Sequence, residues 1–288
     1  MKLDCCTIPG LVSILLVMCA SLGAFAAPST AQTEIQSLEF PYFTLRNRTD
    51  SSEPGEAYGG QRSDLKAGVC RVEELDLGVL APLADATPNF MKEELLRVRE
   101  VEEIDPASVL DRLEASAGDR GPALYVHGYY IDFDKGCRRA ALLQQNTQLH
   151  GRFLWFSWPS DGSAASYTHD EADLYWSLPD LADTIIELGR RFGPGTVDVI
   201  GHSLGGRGVV LALAEVANRN PDIRLGHVVL LAPDMDFEIF ERILPRFRPI
   251  AQSITVYKTA GDRPLALSEQ LHGYPRLGQA GNDVSGLD

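Results

Sequence analysis

The sequence predicts an α/β fold in which a mainly parallel sheet is covered by helices on both faces. Three observations lead there. Short uninterrupted apolar segments recur from residue 123 onward, and they alternate with longer segments whose apolar residues return every three to four positions. A strand buried on both faces reads as a continuous apolar run, and the helix that covers it reads as an amphipathic repeat. The composition is globular, with 44% hydrophobic and 23% charged residues over 288 positions, which sets aside disorder, collagen and coiled coil.

Taken in order, the chain begins with Lys2, an apolar run over 11–20 and then Ala24-Phe25-Ala26. This tripartite order predicts a signal peptide over 1–26, cleaved after Ala26, and a secreted or periplasmic protein. The apolar run is shorter than the ~20 residues of a bilayer span. A lipoprotein anchor at Cys19 is the weaker alternative, because Met18 is bulky for the position before a lipidated cysteine. Residues 27–62 are rich in Ser, Thr, Gly, Pro and Gln, and predict a loosely structured lead-in with one edge strand over Leu38–Leu45. Residues 63–288 form the remaining domain, with no internal repeat and no second domain.

Within that domain, Gly68–Leu75 and Leu95–Ile104 alternate apolar and polar residues, as half-exposed strands do. The acidic run Glu93–Asp105 therefore reads as a solvated strand face. Asp105 and Pro106 open a helix as cap and first residue, with Val109, Leu110 and Leu113 on its apolar face. Strands then follow at Ala123–His127, Phe153–Ser157, Val197–Ile200, His227–Leu231 and Ser253–Tyr257. Helices are expected at Cys137–Leu149, Leu178–Phe192, Gly205–Ala217 and Phe237–Leu244. The small polar stretch Ser160–His169 reads as a flexible rim.

Charge and cysteine content narrow the function. A net charge of −14 and a pI near 4.9 leave no basic excess for a nucleic-acid partner. No metal-ligand spacing, dinucleotide fingerprint or phosphate loop is present, so no cofactor is expected. Loss of residues 1–26 removes Cys5, Cys6 and Cys19. Cys70 and Cys137 remain, and they pair only if the fold brings them together.

One motif carries chemistry. Gly201-His202-Ser203-Leu204-Gly205 matches G-x-S-x-G between an apolar strand and a helix, the setting of a nucleophile elbow. Ser203 is the candidate nucleophile. The backbone N–H groups of Leu204 and of Tyr129, in the loop His127-Gly128-Tyr129, are the candidate oxyanion donors. His127 precedes the nucleophile and reads as a structural residue of that loop. Asp262, just past the 253–257 strand, is the first choice of acid, and Asp234, past the 227–231 strand, is the second. Asp236 reads as a helix cap. His272 is the sole histidine beyond Asp262 and the candidate base, although its place at a helix end also suits a surface histidine. Trp158-Pro159, at a strand end, reads as strand core or as the wall of an acyl pocket.

These residues resemble the alpha/beta-hydrolase superfamily and, more narrowly, a family of bacterial alpha/beta hydrolases of unknown function. The resemblance rests on His127-Gly128-Tyr129, Trp158-Pro159-Ser160, Gly201–Gly205, Ala232-Pro233-Asp234-Met235-Asp236 and Leu271-His272-Gly273, and covers about Gly121–Gly281. It implies the α/β-hydrolase fold and a serine hydrolase, not a substrate; the nucleophile and oxyanion donors themselves read as acting on a small-molecule acyl substrate, an ester or a related compound. It also implies a last strand and, after it, a loop bearing the catalytic histidine. No apolar strand or histidine follows His272, so the fold is expected to lack that strand. Three readings stay open: a truncated hydrolase, His272 acting as the base, or a fold that binds without turnover.

Overall fold

The computed structural model describes residues 37–75, 89–261, 263–282 and 284. Its sheet has eight strands: β1 Ser37–Arg48, β2 Tyr58–Glu74, β3 Leu96–Ile104, β4 Ala123–Val126, β5 Phe153–Ser157, β6 Asp198–His202, β7 Leu225–Leu231 and β8 Ala251–Tyr257. They lie in the order β3-β2-β1-β5-β4-β6-β7-β8. β2 pairs antiparallel with β1 and β3, and every other pairing is parallel. The helices are α1 Pro106–Ala117, α2 Phe133–Asn146, α3 Tyr167–Phe192, α4 Leu204–Arg219, α5 Phe237–Phe247 and α6 Arg263–His272. The expected mainly parallel sheet with helices on both faces is present.

Alternate residues of the central strands feed two cores. Leu124, Val126, Leu154 and Phe156 pack with apolar residues of α1, α3, α4 and α5 on one face. Ala123, Tyr125, Phe153 and Trp155 pack with α2 on the other. The second core is built on aromatic edges, with Phe40 against Phe153 at 5.7 Å and Tyr42 against Phe133 at 5.4 Å. Such pairs contribute about 0.5–1.5 kcal/mol each beyond their buried area. α1 starts as its cap requires, with the Asp105 carboxylate accepting from Ser108 N.

Three expectations change. The 27–62 segment is not a loose lead-in over its described part, because β1 lies inside the sheet between β2 and β5 and β2 already begins at Tyr58. Leu38, Phe40, Tyr42, Phe43 and Leu45 are all buried, so the strand expected over 38–45 is an interior strand rather than an edge one. The Ser160–His169 stretch is not a free rim either. α3 starts at Tyr167, eleven residues ahead of the expected Leu178, and its early buried positions are largely polar, with Asp170, Asp173 and Ser177 facing inward at helical spacing. A hydrophobicity pattern cannot see a buried polar face. Finally, Cys70 and Cys137 are free thiols, both fully buried in the second core. Burial first, and the hydrogen bond with Cys70 next, push the Cys137 thiol well above its ordinary pKa.

β8 is the last strand of the sheet among the described residues. After α6 the chain returns as a strap. Leu277 N donates to Met235 O at 2.7 Å and Gly278 N to Pro233 O at 2.9 Å, so this segment is tied to the loop after β7. No helix among the described residues is long and apolar enough to cross a membrane.

Candidate active site

The 201–205 motif folds as a sharp strand-to-helix turn. β6 ends at His202, α4 begins at Leu204, and Ser203 between them holds φ 52° and ψ −123°. A non-glycine residue is strained there by about 1–3 kcal/mol. The surroundings over-determine this backbone. Ser203 N donates to Leu231 O at 2.9 Å, while Ser203 O accepts from Asp234 N at 2.9 Å and Gly206 N at 3.0 Å. The glycines give room for the turn. A Cβ at Gly201 would lie 2.7 Å from Gly206 Cα, and one at Gly205 would collide with His127 O and reach Val126 O at 2.6 Å. Gly205→Ala is therefore expected to cost about 1–3 kcal/mol or more, as overpacking against rigid backbone does. Chemical denaturation measures it, and an unchanged midpoint would show that α4 does not press on the end of β4.

The loop after β4 lies against the elbow. A Cβ at Gly128 would fall 3.0 Å from Ser203 Cβ, so the chain leading to Tyr129 passes beside the serine. The Leu204 N–H is in the first turn of α4, among the amides without an intrahelical acceptor, where the helix dipole favours negative charge. The structure thus brings together Ser203, Leu204 and the Gly128–Tyr129 loop. Tyr130, with φ 62°, turns that loop away, and its N–H is held by Asp170 Oδ2 at 3.1 Å.

His127 and Trp158 form the base of this loop. Their rings stack at 4.9 Å and 7°, and Trp158 Nε1 donates to His127 O at 2.8 Å. Both rings are fully buried, so Trp158 is part of the interior rather than an open pocket wall. Burial, and then the charge of Arg46, hold the His127 pKa well below its ordinary value; hydrogen bonds to the Gly128 and Trp158 carbonyls oppose this without overcoming it. The His127 ring is thus held in the interior between the Gly128 and Trp158 carbonyls.

Arg46, which the sequence reading passed over, pins the same loops from β1. Its guanidinium donates to Ser157 Oγ, Ser160 O and Ile131 O at 2.9, 2.9 and 2.6 Å. Burial lowers its pKa to about 10. A cation spent on carbonyls fixes geometry, and here it joins the segments that follow β4 and β5.

The acid and base candidates sit differently from the simplest expectation. Asp262 lies outside the described residues. Asp234 is 3% exposed and next to the elbow. Its carboxylate accepts from Tyr167 OH at 2.5 Å, Ser268 Oγ at 2.6 Å and Arg276 Nε at 2.8 Å, with Arg207 Nη2 at 3.6 Å. Burial pulls the Arg207 pKa down, but Tyr167, Asp234 and Tyr175 more than restore it. Burial, and then Asp234, raise the Tyr167 pKa. Asp236 is the cap of α5, accepting from Ile239 N at 2.9 Å.

His272 ends α6, as the sequence predicts. Its Nδ1 lies 2.8 Å from Ser268 O and 3.3 Å from Ser268 Oγ, and its Nε2 lies 3.3 Å from Glu171 Oε1. Both ring nitrogens thus face oxygen atoms, a carbonyl at Nδ1 and a carboxylate at Nε2. Ser268 joins the ring to Asp234. Tyr167 packs edge-on between Tyr129, at 5.1 Å, and His272, at 5.7 Å. His272 is therefore one aromatic ring away from the Gly128–Tyr129 loop, with its nitrogens turned to Ser268 and Glu171 rather than to Ser203. Beside it opens a cavity of about 340 Å³ lined by Tyr175, Leu211, Met235 and Ile239 with Glu171 and Arg207. Glu171 also pairs with Arg207.

A family described as alpha/beta hydrolase of unknown function (DUF900) matches residues 107–286, more than half of the chain. The chain belongs to this family of alpha/beta hydrolases. No curated protein matches it. Among solved structures, the hydrolase is similar to a hyperthermophilic esterase from the archaeon Pyrobaculum calidifontis, at 15% identity and a TM-score of 0.29. That match takes in 70% of this chain and 45% of the esterase, so the chain spans less than half of that protein.

The residues missed by sequence reasoning are Arg46, Tyr167, Asp170, Glu171, Arg207, Ser268 and Arg276. A signal existed for two of them. Arg46 directly follows an apolar run, and Arg207 lies on the apolar helix of the elbow. The others carry ordinary polar spacing.

Proposed function

We propose that this hydrolase cleaves carboxylic esters of small acyl compounds with Ser203 as the nucleophile. The observation that carries the reading is the strained Ser203 backbone at the mouth of β6, held by three backbone hydrogen bonds. In this reading Ser203 Oγ attacks the acyl carbonyl. The N–H groups of Leu204 and Tyr129 receive the oxyanion, and the apolar cavity beside His272 accepts part of the substrate. His272 is the base. Its Nε2 must exchange Glu171 for Ser203 Oγ, while Ser268 links the ring to Asp234. Asp262 is the other candidate acid, from the loop after β8. The proposal also keeps the secretory signal over 1–26, so the mature chain begins at Ala27 and works outside the cytoplasm. Intact-mass measurement of exported protein tests that point.

A fluorophosphonate probe tests the nucleophile. The expected adduct maps to Ser203, and a folded sample that takes no label there would falsify the serine-hydrolase reading. A second reading, a hydrolase-fold protein that binds an acyl ligand without turning it over, is favoured by the engagement of both His272 nitrogens elsewhere. His272→Ala separates the two. Under the first, hydrolysis of a short acyl ester falls by at least about 10²-fold, as loss of a general base does. Unchanged turnover would remove His272 from the base role. No turnover in the wild type, with no labelling, would leave the binding reading.

A further inference from the structure

The first turns of α3 gather a second set of ligating side chains that the hydrolytic reading does not use. One imidazole nitrogen of His169 and one carboxylate oxygen from each of Asp161 and Asp170 lie within 4.8 Å of one another. His169 Nδ1 is 2.9 Å from Asp161 Oδ2 and 3.4 Å from Asp173 Oδ2. Bond lengths of about 2.0–2.2 Å to one cation place neighbouring ligands roughly 3–3.5 Å apart, and both distances fall in or beside that range.

The independent observation is Asp173. Its side chain is 2% exposed, and Oδ1 accepts from Arg62 Nε at 2.5 Å. Its Oδ2 is buried, makes no hydrogen bond and faces the His169 nitrogen. Leaving a buried carboxylate oxygen without a donor costs about 1–3 kcal/mol or more, and a cation bound beside it would offset that cost. Two further carboxylates, Asp161 and Asp170, belong to the cluster, with Arg62 the cation in direct contact with Asp173 and Arg46 further off. The cluster is also built in advance. Asp170 Oδ1 accepts from Asp161 N at 2.9 Å, and Asp170 Oδ2 accepts from Ser160 Oγ at 2.5 Å and from Tyr130 N at 3.1 Å. Asp170 Oδ1, with a single donor, keeps a further lone pair for a ligand.

We propose that Asp161, His169 and Asp170, with the buried Asp173 Oδ2 beside them, bind one divalent transition cation of the Zn²⁺ or Mn²⁺ class. A donor set of carboxylate oxygens with one imidazole nitrogen suits these ions better than Mg²⁺. The cation clips the loop after β5 to α3. Through the Asp170–Tyr130 hydrogen bond it also steadies the loop that carries Tyr129. The site does not depend on Ser203 being a nucleophile.

The test uses the full chain without a polyhistidine tag, stripped with chelator and titrated calorimetrically with Zn²⁺, Mn²⁺ and Ca²⁺ in separate runs. The expected result is one equivalent of Zn²⁺ or Mn²⁺ bound and a higher thermal midpoint. His169→Ala and Asp161→Asn should each weaken binding by at least about tenfold. Both side chains are partly exposed, so the variants are expected to fold, and their circular dichroism checks it. No saturable binding up to about 1 mM cation, binding indifferent to both substitutions, or a preference for Ca²⁺ would each overturn the proposal. Because the readout is binding, loss of ester hydrolysis elsewhere leaves it untouched.

Discussion

Asp234→Ala is expected to destabilise the protein by about 3–5 kcal/mol, the usual consequence of removing one partner from a buried ion pair. Arg276 is 2% exposed, and Asp234 is its carboxylate partner at 2.8 Å. Arg207, 5% exposed, keeps Glu171 and its bond to the Asp234 backbone carbonyl but loses the carboxylate. Tyr167 OH and Ser268 Oγ lose their acceptor as well. Against a typical total of about 5–15 kcal/mol, this is a large fraction of the fold's stability. Urea denaturation measures it. A loss below about 1 kcal/mol would mean that water reaches the site and the network is not desolvated. Two further variants separate causes. Asp234→Asn keeps one acceptor oxygen, enough for Tyr167 or Ser268 but not for both, and should retain more stability than the alanine. Asp234→Ala with Arg276→Met removes the stranded cation and should recover part of the loss, because an apolar pair can replace a buried ionic one.

Ser203→Gly should separate stability from activity in opposite directions. The native φ of 52° with ψ −123° suits glycine and strains serine. Release of about 1–3 kcal/mol of strain is set against about 0.5–1 kcal/mol of added chain entropy in the unfolded state. The folded protein should therefore gain up to about 2 kcal/mol. Ester hydrolysis should fall at least about 10³-fold, since only binding and oxyanion stabilisation remain. Ser203→Ala keeps the strain and should be equally inactive without the gain in stability. If Ser203→Gly retains turnover within tenfold of the wild type, Ser203 is not the nucleophile. If it is inactive but also less stable, the elbow is relaxed in solution and its strain is not stored for chemistry.

The elbow was legible in the sequence because it is local. Two glycines, a serine and the switch from an apolar strand to a helix lie within a few positions, and the backbone they imply is the one found. The central strands were legible for a similar reason, since burial on both faces leaves a continuous apolar run. β1 was only half read. Its apolar run over 38–45 was visible, but its place between β2 and β5 depends on pairing with Trp155, Phe156 and Ser157, far along the chain. The start of α3 was missed because its first buried face is polar, and polarity is ordinarily a sign of solvent.

What the sequence determined by itself is the order of strands and helices, the parallel sheet and the turn that presents Ser203. Each follows from periodicity and backbone preference over a few residues. Tertiary structure alone decided the partners. Arg276 meets Asp234 from 42 positions away and Glu171 meets His272 from 101. It also decided that Ser268 stands between the histidine and the carboxylate. Periodicity records which side of an element is buried. It carries no record of which charge or donor arrives there from another element, and in a dry interior that arrival sets whether a carboxylate can be a structural anchor, a catalytic acid or a ligand.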